Sequence, residues 1–542
     1  MPDAIVAPKK DTSIVLSSIT KALMDRLRGL KNKPTPNDYS KITVSQTVSF
    51  VALVYEKIRN AVEYREDHLI RRAAIERIIK RRLSLNPEGK DEAENILREL
   101  LWARYFDNGS LGSEDVKVVQ SILDKYMYLK RLITPGRDGT SQQFLMQFLL
   151  DMLTCEIEET LTPKATLRES SFTFFIYQVL RLKVKIEGVD DERKDAYFLT
   201  AVEKAYRKSD NPSQRYHLFI TFYKPFHTYT NEELHEMSSK LPSIFKRIDQ
   251  MIKSPYVESL TRFTRKQLPP FLILFSILSS KMAEVPQILT GRNALWTEVD
   301  VICREKYDMV NKRLRNLAIK SFIYIFLTKM IFVIILEYPV SLYLYNEISY
   351  TSIGINSLFP PILMLLIISV FRTPGEDNTK NIYQRIIEII DKDQTFETGV
   401  AFIPKKGKVR RPILIFGFTI FYTFTFMVTL LLIRQILQYL HFNLISQAIF
   451  IFFVSVVTFF SYRIKQIVNE YRLVEKEGVL TPLVDFFFMP ILSLGKFFSS
   501  EISKLNFFIF IFDFLIEAPF KFVFEIVEEW ISFVKKRKEE IM

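Results

Sequence analysis

The chain has 542 residues, 48% hydrophobic and 14% aromatic, with a formal net charge of +13. That length holds a membrane region and at least one sizeable soluble domain, and two cysteines, Cys155 and Cys303, exclude a disulfide-framed fold. Forty-seven phenylalanines against fifteen glycines favour lipid-facing helices over sheet. The expected class is therefore all-α, a polytopic helical membrane protein with a large helical N-terminal cytoplasmic domain.

Residues 1–12 read as a disordered tail with no secretory signal, and residues 13–310 as a basic helical cytoplasmic domain. Breaks are expected at Asn32–Thr43, Ser84–Gly89, Asp107–Ser113, Thr134–Ser141, Gly188–Glu192 and Ser209–Ser213, all rich in turn-forming residues. Ser13–Lys31 is amphipathic, suited either to an anionic membrane surface or to docking on the protein's own core. Val44–Leu83 reads as a long helix or helix pair. It ends in a basic cluster, Arg71, Arg72, Arg77, Lys80, Arg81 and Arg82, for which there are two readings. One is a solvated face partly paired with Glu63, Glu66, Asp67 and Glu76; the other is contact with anionic headgroups. Aromatic interleaving is missing, which argues against nucleic acid as a partner. Alternation at Leu180–Ile186 and in part at Tyr216–Phe222 admits a short β-ribbon.

A four-helix transmembrane domain is expected over 318–462, with spans at about 321–345, 353–371, 412–433 and 444–462 and a cytoplasmic loop at 372–411. Spans two to four carry no charge, although Pro360 and Pro361 interrupt the second and predict a kink. The first holds Lys329 and Glu337. A central charge costs roughly 2.5–3.5 kcal/mol, which the eleven Leu, Ile, Phe and Val residues of Phe322–Leu336 offset at about 0.3–0.6 each. Lysine and arginine cluster at every second connection, at Arg304–Lys320, Lys405–Arg411 and Arg463–Lys476, whereas the turn Asn346–Ser352 has none and the turn after the third span has only Arg434. This expects both termini in the cytoplasm and the protein in the plasma (inner) membrane.

Residues 479–542 read as an amphipathic, membrane-associated region. Steps of four and three place Asp513, Glu517, Lys521, Glu525 and Glu528 on one arc, opposite Ile526, Val527 and Trp530. Two further membrane crossings there are the alternative.

The polar residues Lys329, Glu337 and Asp485 are the intramembrane candidates. On an ideal helix Glu337 lies roughly 12 Å along and about 80° around from Lys329, so Asp485 is the better-placed partner. Glu232 and His235 have E-x-x-H spacing without a second copy, and His68, His217, His227 and His441 are scattered along the chain. No phosphate loop, dinucleotide fingerprint or nucleophile elbow is present. No metal, cofactor or catalytic residue is expected, so the protein reads as a non-enzyme. The partners expected are the lipid bilayer, with anionic headgroups, and an unidentified protein. The segments YEKIRNAVEYREDHLIRRAAIERIIKRRL and PLVDFFFMPILSLGKFF, with the tail ending EIVEEWISFVKKRKEE, resemble uncharacterised polytopic membrane proteins of candidate-phyla (Patescibacteria) bacteria. That resemblance implies a bacterial plasma membrane and supplies no functional residues. The leading expectation is a membrane-anchored scaffold or assembly factor. The alternative is a transporter or channel with a polar intramembrane pathway.

Overall fold

A computed structural model describes residues 13–30, 40–60, 66–280, 282–345, 350–371, 373–392, 401–403, 412–473, 489 and 491–497, together with 526, 527, 530, 533, 534 and 537. It is all-α apart from two three-residue strands. The helices are α1 (Ser18–Arg28), α2 (Gln46–Asn60), α3 (Asp67–Leu85), α4 (Ala93–Trp102), α5 (Ser113–Ile133), α6 (Gly139–Leu161), α7 (Pro163–Leu180), α8 (Asp191–Tyr206), α9 (Asn211–Phe222), α10 (Asn231–Ser238), α11 (Leu241–Ile252), α12 (Pro255–Ser280), α13 (Val285–Thr290), α14 (Arg292–Phe332), α15 (Tyr338–Tyr345), α16 (Tyr350–Val370), α17 (Glu376–Ile390), α18 (Pro412–Tyr439) and α19 (Leu444–Val468). Strands β1 (Val184–Ile186) and β2 (Ala401–Ile403) pair in parallel. The chain divides into two compact units. One, the helical unit, comprises the described parts of Ser17–Arg265, Glu397–Pro404 and Phe507–Met542. The other, the apolar-helix unit, comprises those of Met1–Leu16, Lys266–Phe396 and Lys405–Asn506.

In the helical unit the polar breaks become helix caps. Asp138, Asp190 and Asp210 each accept a backbone N–H from the first turn of α6, α8 and α9, which satisfies donors that the helix cannot pair internally. Gly89, at φ +66°, closes the turn after α3. A β-carbon there would come within 3.0 Å of Leu123, so both conformation and space require glycine. The core is continuous from Ile75 and Ile79 through Leu97, Ile122 and Phe148 to Phe219 and Phe245, and the rings of Phe148 and Phe245 stack at 4.0 Å. Val44–Leu83 resolves into the two helices α2 and α3. Helix α1 buries Leu23, Met24 and Leu27 and packs on α7, so its apolar face serves the protein's own core. Tyr216–Phe222 is helical, within α9; β1 takes the 401–403 segment as its partner instead. Both cysteines are buried, and burial pushes the Cys155 thiol well above its usual range, as fits a small packing residue.

In the apolar-helix unit, α14 and the turns after it are packed on α16, and α16 on α19. Among the described residues three helical segments are long and apolar enough to cross a membrane: Arg292–Tyr343, Tyr350–Ser369 and Phe416–Tyr439. The expected first span is thus the far end of a helix that starts at Arg292. The expected fourth lies in α19, whose apolar part, Leu444–Phe460, is shorter than the other three. Helix α16 runs through Pro360 and Pro361. Helix α18 exposes Phe416, Phe418, Ile420, Phe424, Met427, Leu431 and Ile436, and only 6% of its most apolar stretch is buried. Leu437 and Thr425 are buried on its other side, and a broad exposed apolar face of this kind has the surface of a lipid-facing segment. The 372–411 stretch contains α17 and β2. Most of 479–542, including Asp485 and the acidic arc from Asp513 to Glu528 apart from its neighbours Ile526 and Val527, lies outside the described residues. Val527 packs against the helical core, whereas Ile526 and Trp530 are exposed.

Candidate functional site

The two units each bury charge. Within the apolar-helix unit, Lys329 and Glu337 are fully buried, and Lys329 Nζ donates to Glu337 Oε2 at 3.4 Å. This corrects the expectation that the two are poorly placed for each other. Val333–Glu337 is a π-helical turn, which carries about one residue more than an α-turn. One extra residue rotates the downstream helix by about 100°, which nearly cancels the 80° offset of an ideal helix, and the two long side chains bridge the remaining rise. Asn356 on α16 completes the group, donating to Glu337 Oε1 at 2.7 Å and to the Ser446 carbonyl at 3.3 Å. Lys329 Nζ also sits 5.0 Å from the centre of the Phe453 ring on α19, a cation–π distance. The cation, its carboxylate and an amide thus tie three helices together. On the same two packed helices, α16 and α19, the Asn356 Oδ1 and the hydroxyls of Ser357, Ser446 and Ser455 are buried with no hydrogen-bond partner among the described residues. Nothing in the sequence pattern marks Asn356, a neutral residue in a span free of charge; only its amide among aliphatic neighbours distinguishes it.

In the helical unit the basic cluster of α3 is drawn inward. Arg71 pairs with Glu158 at 2.8 Å, Arg72 with Asp210 at 2.7 Å and Glu76 at 2.9 Å, and Arg77 with Glu56 at 3.0 Å. Arg81 pairs with Glu99, and Arg82 with the same carboxylate at 2.9 Å. Only Lys80, bound to Glu76 at 2.8 Å, keeps a mostly exposed side chain, at 54%. Of the carboxylates expected as partners Glu76 is among these, Glu66 pairs with Lys208 instead, and Glu63 lies outside the described residues. The other partners of the α3 cations come from α2, α4, α6 and the cap of α9.

The network continues into a cavity of about 10 Å³ lined by His68, Arg72, Cys155, Glu158, Glu159, Arg207, Ser213 and His217, about the volume of one water. Two of the histidines that are far apart in sequence therefore meet. His217 places Nδ1 2.7 Å from Glu203 Oε2 and Nε2 2.6 Å from Glu159 Oε1. Two carboxylate partners favour a ring with both nitrogens protonated, against the Arg207 guanidinium 3.2 Å from Nε2. Burial alone would lower its pKa, but Glu203 and Glu159 outweigh burial and the opposing Arg207, and push it up to about 9. His68 behaves oppositely: burial first, then Arg207 and Arg71, bring it down to about 4. Arg215 joins Asp151, at 2.6 Å, to Asp249 and lies 4.9 Å over the Phe148 ring. Among the described residues no group of three or more His, Cys, Asp or Glu side chains is arranged to hold a metal ion. Glu232 and His235 share the short helix α10, with Glu232 exposed.

Comparison with known proteins finds no matching family model, no matching curated protein and no matching solved structure.

Proposed function

We propose that this chain is a multi-pass protein of the bacterial inner membrane that acts as a membrane-anchored scaffold or assembly factor. It would have four spans, both termini in the cytoplasm and a basic helical domain on the cytoplasmic side. The observation that carries this reading is the closure of the Lys329–Glu337–Asn356 group. The one cation buried among the apolar helices of the described residues is met by a carboxylate and a ring within the protein, which is how a structural charge is held in a low-dielectric setting. The outward apolar surface of α18 supports lipid anchoring. Affinity purification in mild detergent tests the reading: a stoichiometric protein partner should be retained, and retained equally by the Lys329→Leu/Glu337→Leu double variant. Solute flux in proteoliposomes that the double variant abolishes, with folding intact, would overturn it.

A transporter or channel is the second reading. It is favoured by the Asn356 Oδ1 and serine hydroxyls of α16 and α19, buried with no partner among the described residues, a polar seam that water or a passing solute would satisfy. Cysteine-accessibility mapping of 346–352 and 498–505 distinguishes four spans from six under either reading.

A further inference from the structure

All the α3 cations but Lys80 are drawn inward by internal carboxylates, and the β1–β2 ribbon presents a second set of cations beside exposed apolar side chains. In the parallel register Val184 faces Ala401, Lys185 faces Phe402 and Ile186 faces Ile403. Val184 and Ile186 are buried and anchor the ribbon inward. Paired residues share a face, so Lys185 and Phe402 stand side by side on the outer one. Phe402 is 61% exposed, and Leu182, two residues before β1, is 82% exposed. A single exposed apolar residue is ordinary. Here, however, two large ones flank an exposed lysine, and Lys183 lies between Leu182 and the strand.

The chain itself says what covers this face. Eight residues, 404–411, separate Ile403 from the start of α18 at Pro412. Even fully extended they reach about 30 Å, so the chain ties Phe402 within about that distance of the start of α18. Five of the eight are Lys405, Lys406, Lys408, Arg410 and Arg411. Basic residues next to a span are attracted to an anionic leaflet by about 1 kcal/mol each. Aromatic and aliphatic tips beside lysines match the boundary between acyl chains and headgroups.

We propose that Leu182, Lys183, Lys185 and Phe402 form a lipid-contacting prong that inserts its apolar tips into the anionic leaflet and sets its lysines against lipid phosphates. This rests on the reading that α18 crosses the bilayer, and the test separates the two. In the full chain with Cys155 and Cys303 replaced by alanine, an environment-sensitive fluorophore is attached at Phe402→Cys or Leu182→Cys and the protein is placed in nanodiscs containing phosphatidylglycerol. Met427→Cys on the exposed face of α18 reports lipid, and Glu114→Cys, at a side chain 81% exposed, reports water. The expected result is a blue shift at 402 and 182, with a several-fold loss of emission on brominated acyl chains. The shift should disappear in Lys183→Glu/Lys185→Glu and in discs of zwitterionic lipid alone. Water-like emission at 402 with lipid-like emission at 427 overturns the prong and leaves the span intact. Water-like emission at 427 overturns both. A blue shift at 402 that brominated lipid does not quench assigns the face to a protein strand, and also overturns the lipid contact.

Discussion

Arg72 and Lys329 are both buried cations, and the two units satisfy them by different means. Arg72 draws on carboxylates from its own helix and from the cap of α9, 138 residues away, and it belongs to a web that also holds Arg71, Arg207, Arg215 and His217. Among the described residues Lys329 has one carboxylate, eight residues away on the same helical segment, and the Phe453 ring, and that carboxylate has one amide. A web distributes each charge over several partners, so losing one member leaves others partly compensated. A closed pair has little reserve: removal of Glu337 leaves Lys329 with the Phe453 ring, and removal of Lys329 leaves Glu337 with the Asn356 amide, neither of them a counter-charge.

The sharpest break of the comparison is therefore Glu337→Leu. It should cost about 3–5 kcal/mol, read as loss of thermal stability in detergent. The Lys329→Leu/Glu337→Leu double variant should regain most of it, because two apolar side chains of similar size remove both charges. A double variant no more stable than the single would show that the pair does not account for the cost. Arg72→Leu should be comparable or smaller, about 2–4 kcal/mol. Adding Asp210→Asn should recover only part, since Glu76 still loses the Arg72 guanidinium and keeps Lys80; full recovery would reduce the web to one pair.

Next comes pH. His217 is raised in the folded protein from 6.5 to about 9. Its contribution is then complete below pH 6.5 and is lost as pH rises through 9, a loss of roughly 3 kcal/mol at 1.36 kcal/mol for each pH unit between the two values. His68, lowered from 6.5 to about 4, works on the other limb: stability falls as pH drops from 6.5 toward 4. Melting curves across pH 4–10 should peak near neutrality. His217→Gln should flatten the alkaline side and His68→Gln the acid side, and unchanged limbs would separate these rings from the web. The smallest effect belongs to Lys80→Ala, at most about 0.5 kcal/mol in chemical denaturation, because its pair with Glu76 is exposed on the lysine side.

Local chemistry was legible where it depends on neighbours in sequence. Asp138, Asp190 and Asp210 fall in segments read as breaks, and each is a cap because a short acidic side chain folds back on the next turn. The apolar runs of α14, α16 and α18 were visible because length and hydropathy suffice. What depends on pairing across the fold was not. The α3 cations look like a solvated stripe until α2, α4 and α6 bring Glu56, Glu99 and Glu158 against them, and no periodicity in α3 contains that information. His68 and His217 are 149 positions apart (217 − 68) and meet only because α3, α6 and α9 pack together. For Lys329 and Glu337 the assumption of ideal helix geometry failed at the π-turn, a one-residue departure that side-chain patterning does not encode.

The local closure of that pair has a consequence for biogenesis. Under the proposed topology, the segment that carries the lysine carries its counter-charge as well, so the two leave the ribosome within eight residues of each other. Neutralisation does not wait for a later helix to be made. The segment can partition into the bilayer as a self-balanced unit, and Asn356, nineteen residues beyond Glu337, then arrives as a latch on a helix already in place.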